Sequence, residues 1–207
     1  MSHRFSSVSA MFAVAILLLA AASAMAQTDR VSTNTGDARP TTPTLGCCQC
    51  LGGTNTLDLS TISSNNWTVN GNPAVFLGPI NAYWNINPGP AKWVSTSATG
   101  GTGNVNAGTY DYQLKFVVPT CVIEQRVTLT GNYGGDDDVY VYLDNTLVSQ
   151  CTGGWCFNTP NKVLSILPTT AVSSTAHTLL VRVKNGGPTP SPSGMFINAK
   201  LTSACRK

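Results

Sequence analysis

The chain has 207 residues, of which 42% are hydrophobic and only 10% charged, with twelve Lys and Arg against nine Asp and Glu. No basic cluster exceeds the C-terminal pair Arg206-Lys207, which excludes a nucleic-acid surface as the expected partner face. The polarity comes instead from Asn, Thr, Ser and Gly, the composition of an exported β-protein.

His3 and Arg4 give a basic start, Met11 to Ala22 is an apolar run, and Ala24-Met25-Ala26 is an A-x-A cleavage site. Residues 1–26 therefore read as a secretory signal peptide. The run is shorter than the roughly 20 residues that a membrane-spanning helix needs. Cleavage after Ala26 leaves 181 residues with no second run of that length. The mature protein is thus expected to be secreted, extracellular or periplasmic, with no membrane attachment, and its length suits one domain. Residues 27–46 have few apolar positions and no periodicity, and are expected to form a disordered linker before a single domain over 47–207.

From Trp67 onward the pattern is strand and turn. Trp67-Thr68-Val69 and Ala74 to Leu77 flank Asn70-Gly71-Asn72-Pro73. Tyr83-Trp84 and Lys92-Trp93-Val94 flank a Pro- and Gly-containing loop, and Trp67, Trp84 and Trp93 are expected in the core. Tyr110, Tyr112, Leu114 and Phe116 alternate with Asp111, Gln113 and Lys115, the period of two of a half-buried strand. The stretch Thr128–Gln150 reads as strand, acidic glycine turn (Gly134 to Asp138), strand over Val139–Leu143, tight turn at Asp144-Asn145, and returning strand. Val163–Leu167 is a further strand. Leu179, Val181 and Val183, then Met195, Ile197, Ala199 and Leu201, repeat the alternation. No helix-period segment of useful length intervenes, so an all-β antiparallel sandwich or jelly roll is expected.

Seven cysteines, all beyond the signal, point to disulfides in an exported protein. Cys151 and Cys156 flank a short Gly-Gly turn and are expected to bond each other. One of Cys47, Cys48 and Cys50 is expected to reach Cys205, with Cys50 the candidate, and Cys121 to take another of the trio. The odd count leaves a thiol free or linking two chains as a disulfide-bonded dimer.

Several blocks carry a resemblance: Ala82 to Asn85 with Ala91 to Ser95, Gly108 to Phe116, Leu129 to Asn145, and His177 to Met195. Together they resemble secreted bacterial jelly-roll modules with a galactose-binding-like fold. Asp137-Asp138 with Tyr142-Leu143-Asp144 is similar to lectin modules of the anthrax protective-antigen type, which implies a paired aspartate that binds calcium and sugar.

The chemistry on offer is limited. A glycosidase needs two carboxylates across a cleft, whereas this chain has one glutamate, Glu124, and aspartates mostly in turns. His177 enters a strand with no G-x-S-x-G serine elbow in the chain. A non-enzyme is expected. Asp136, Asp137 and Asp138 repel one another and need solvent, backbone N–H groups or a cation, for which calcium suits their hard oxygens. Trp155, in the Gly-rich loop between Cys151 and Cys156, is either a stacking platform for a sugar ring or a plug over the core.

Two functions follow. One is a non-catalytic module that binds an extracellular glycan, assisted by calcium, through Trp155, Asp136 and Asp137. The other is a structural or adhesive subunit of a coat or matrix. Loss of Asp137 or Trp155 is expected to abolish glycan retention without unfolding the domain.

Overall fold

The structure, a computed structural model, describes residues 42–45, 54–78, 80–84, 87–103, 105–118, 122–158, 162–166, 176–187 and 190–205, with the side chains of 54, 55, 122–127, 162–166 and 203–205 outside that description. The expected signal peptide, most of the expected linker, and Cys47, Cys48, Cys50 and Cys121 lie outside the described residues, as do the side chains of Glu124 and Cys205.

The described chain is all-β. Its strands are β1 (Thr54–Asp58), β2 (Trp67–Val69), β3 (Asn72–Pro73), β4 (Val75–Phe76), β5 (Val94–Ser95), β6 (Gly108–Val117), β7 (Val122–Asp136), β8 (Asp138–Leu143), β9 (Thr146–Cys151), β10 (Lys162–Ile166), β11 (Ala176–Asn185) and β12 (Gly194–Cys205). They form two antiparallel sheets. One has the order β10-β7-β12-β5-β4, with β1 also on β12; the other has the order β3-β2-β6-β11-β8-β9. Among the described residues no helix is long and apolar enough to cross a membrane.

Alternation places the core as the sequence predicts. Tyr112, Leu114 and Phe116 of β6, Val139 and Val141 of β8, and Leu179, Val181 and Val183 of β11 are buried from one sheet. Leu129 and Tyr133 of β7 and Met195, Ile197, Ala199 and Leu201 of β12 are buried from the other, in the same cluster. Each fully buried aliphatic side chain contributes about 1.5–3 kcal/mol. Hairpin turns follow turn chemistry: Asn70-Gly71 and Asp144-Asn145 all take positive φ, which Asn, Asp and Gly tolerate. His177, expected to be structural, enters β11 on the core side. It is buried, its Nδ1 lies 2.7 Å from Asp144 Oδ2, and its ring packs on Phe116.

Three expectations need correction. The run Gly134 to Asp138 is not a hairpin turn. β7 continues through Gly134 and Gly135 to Asp136 in one sheet, pairing Gly135 with Met195, whereas β8 starts at Asp138 in the other sheet, pairing Asp138 with Lys184. The acidic run is therefore the crossover between the sheets. Gly135 permits it, because a Cβ there would meet Val139 Cγ2 at 2.7 Å.

Trp84 and Trp93 are buried, but not in the sandwich core. They form a separate cluster with Ala91, Phe157 and Phe196. Phe196 alternates with Met195 and Ile197 and so points off the opposite face of its sheet. The segment holding Trp84 and Trp93 covers that face, and Tyr83-Trp84 forms no strand. Lastly, residues 42–45, counted with the linker, join the fold: Thr44 bridges Val117 and Leu45 is 0% exposed. One leucine in a polar tract has no period by which sequence could place it.

Candidate functional site

The crossover positions the site. Each of its three aspartates is held by a different neighbour. Asp136 follows the β7 register to the start of β12, where Ser193 Oγ donates to its carbonyl at 2.9 Å. Its side chain turns under the aromatic segment, and Trp84 Nε1 donates to Asp136 Oδ2 at 2.9 Å. Asp137 donates its N–H to Lys184 O at 3.0 Å, and its Oδ2 accepts from Gly186 N–H at 2.8 Å, which ties it to the end of β11. Asp138 Oδ1 accepts from the N–H groups of Gly153 and Gly154 at 2.9 and 2.8 Å.

Asp138 thus orders the loop that carries Trp155. The other constraints are the Cys151–Cys156 disulfide, which the structure contains, and a hydrogen bond from Cys156 N–H to Asp137 O at 3.1 Å. Gly153 and Gly154 take φ of +110° and +75°, backbone that excludes most side chains. Loss of the disulfide is expected to lower stability by about 2 kcal/mol, the chain-entropy value for so short a loop. Denaturant unfolding of Cys151→Ala/Cys156→Ala checks it. A loss above twice that size would show that the bridge holds the sandwich itself rather than the loop.

These constraints bring the predicted residues together. Asp136, Asp137 and Trp155 line one cleft of about 420 Å³, joined by Tyr83, Trp84 and Phe157. Trp155 is 63% exposed and Tyr83 77%, so Trp155 stands at the surface rather than plugging the core. The Trp155 and Phe157 rings lie 5.6 Å apart, and below them Trp84 stacks on Trp93 at 4.1 Å. Another groove, of about 370 Å³, is lined by residues such as Asn65, Asn66, Thr68, Gln113 and Lys115, with no aromatic ring among its lining residues.

Asp136 is not a solvated carboxylate at a lip. It is 6% exposed. Burial, and then the hydrogen bond from its carboxyl to that of Asp137, push its pKa up to about 8, against the stabilising indole N–H. Asp138 faces the loop glycines and lines a neighbouring depression instead of this cleft. Among the described residues, no group of three or more His, Cys, Asp or Glu side chains converges as a metal-binding set.

The raised pKa sets a pH dependence. The folded-state value lies above the unfolded one, near 3.9, so between about pH 4 and pH 8 the native state binds more protons than the unfolded state. Stability is therefore highest below pH 4 as far as this group is concerned, and falls as pH rises through about 8. The expected loss is a few kcal/mol, on the order of 1.4 kcal/mol for each pH unit in which Asp136 stays protonated only when folded. Urea unfolding of the wild type and Asp136→Asn from pH 4 to 8 checks it. The variant should lack this part of the slope, and parallel curves would refute the assignment.

Tyr83 and Trp84 were missed as site residues. The signal was present in the exposed-type sequence around them, Asn81 to Asn87, but two adjacent aromatics before a Pro-Gly loop read equally as a strand.

No protein-family model matches the chain, and no curated protein matches it. Solved structures resemble it in part. A β-glucuronidase from Bacteroides uniformis aligns at 15% identity with TM-score 0.42, covering 74% of this chain and 18% of that one. A β-glucuronidase from Ruminococcus gnavus aligns at 14% identity with TM-score 0.40, covering 78% and 31%. A Stig cyclase, Fisc, from Fischerella sp. TAU aligns at 14% identity with TM-score 0.37, covering 75% and 86%. The chain spans about a fifth to a third of the two glucuronidases.

Proposed function

We propose that the protein is a secreted, non-catalytic module of the galactose-binding-like kind that binds an extracellular glycan in the cleft beside Trp155. The observation that carries the reading is the exposure of Trp155 and Tyr83 on a cleft with carboxyl groups at its floor. An aromatic face exposed to water on an ordered loop is costly to leave uncovered and suits the C–H face of a sugar ring, while carboxylates accept from its hydroxyls. Asp136 and Asp137 are each tied down by the protein, Asp136 by the Trp84 indole N–H and Asp137 by the Gly186 N–H, which fits carboxyl groups that orient a bound ligand. Calcium is proposed only as an aid to glycan binding, held through Asp137 and ligand hydroxyls, since Asp136 is buried against Trp84.

A glycan array probed with the mature chain, with added calcium and with chelator, tests the reading. Retention of at least one glycan class is expected. Retention lost on chelation would assign Asp137 to the ion. The absence of any retained glycan under both conditions would leave the structural or adhesive reading in its place.

A further inference from the structure

We infer that the site grips a saccharide along its chain, with at least one sugar unit on each side of the Trp155 indole. The inference rests on the glycan reading above and deepens it. Beside the aromatic cleft lies a second, open depression of about 470 Å³, and the two share Asp137, Trp155 and Gly187. Trp155, 63% exposed, borders both. A pocket for one terminal unit would close around that unit, whereas here the most exposed indole of the site has room on both flanks.

The two flanks differ in chemistry. The cleft side offers rings and carboxyls. The far side is lined by Gly153, Gly154 and Gly186 together with Lys184 and Asp138. Glycines leave the backbone open to close approach, and a Cβ at Gly153 or Gly154 would meet nothing within 4 Å, so the space above them is free. That surface is set before a ligand arrives, because Asp138 already holds both glycine N–H groups and Asp137 holds that of Gly186. Preformed surfaces lose little entropy on binding. The Lys184 side chain is exposed and brings ammonium donors that the aromatic cleft lacks. A second sugar unit there would meet a donor, and the first a ring and acceptors.

Calorimetric titration with cello-, xylo- and β-galacto-oligosaccharides of one to four units tests this. In at least one series, affinity should rise about tenfold or more from one unit to three. Lys184→Ala, and Lys184→Gln as a second variant, should remove most of that rise and leave the affinity for the single unit within about twofold. Both should fold, since the side chain is exposed and β11 is held through its backbone. A flat series with measurable single-unit binding would overturn the inference while leaving the glycan reading intact. So would a rise that both variants preserve in full. If no member of any series binds, the inference is overturned, and the glycan reading falls with it only if the array retains no glycan either.

Discussion

Trp84→Ala should lower the melting temperature by about 8–32 °C. Truncating a buried tryptophan costs about 3–5 kcal/mol, and here it also strips the buried Asp136 carboxyl of its indole donor, worth a further 1–3 kcal/mol or so. For a domain of this length each kcal/mol moves the midpoint by about 2–4 °C. Trp84→Phe separates the two contributions. It keeps a ring against Trp93 but has no N–H, so it should lose mainly the smaller part. Thermal melts of the three proteins check the ordering. A Trp84→Ala midpoint within about 2 °C of wild type would show that the outer aromatic cluster does not support the fold.

Trp155→Ala should do the opposite. The indole is largely exposed, so stability should stay within about 0.5 kcal/mol of wild type. Glycan affinity should fall by about tenfold to a hundredfold, the effect of removing an aromatic anchor from a binding site. Two tryptophans lining one cleft would then have separated phenotypes, one on melting and one on binding. Truncation of Asp137 to alanine, expected from sequence to spare the fold, would also remove the acceptor of the Gly186 N–H. Asp137→Asn, which keeps an acceptor oxygen, is the usable variant.

Much of this was legible in the sequence, for a physical reason. Strand periodicity is a local property, so the inward faces of β6, β8, β11 and β12 could be read residue by residue. The neighbourhood of Asp138 and Trp155 was also legible, because in an antiparallel pair the start of β8 must lie beside the end of β9, and Val139 does pair with Cys151. The Cys151–Cys156 bridge followed from the same short loop. What sequence could not supply was which sheet each strand joins. Gly134 to Asp138 has the composition of a turn, and only the pairing of β7 with β12 and β8 with β11 reveals a crossover. Burial of Asp136 depends on Trp84, 52 residues away, and burial of Phe196 on a segment laid across the outside of a sheet. Both are non-local, and alternation on a single strand carries no trace of them.

The central claim is that glycan is bound at the Trp155 cleft. Its most direct test follows the indole N–H resonances of the four tryptophans while the chain from residue 27 onward is titrated with a glycan that it retains. The Trp155 signal should move most, with the Trp84 signal, on the cleft floor, moving less. Trp67, buried in the sandwich core, should stay where it is. Saturable glycan binding that leaves the Trp155 resonance stationary would contradict the account.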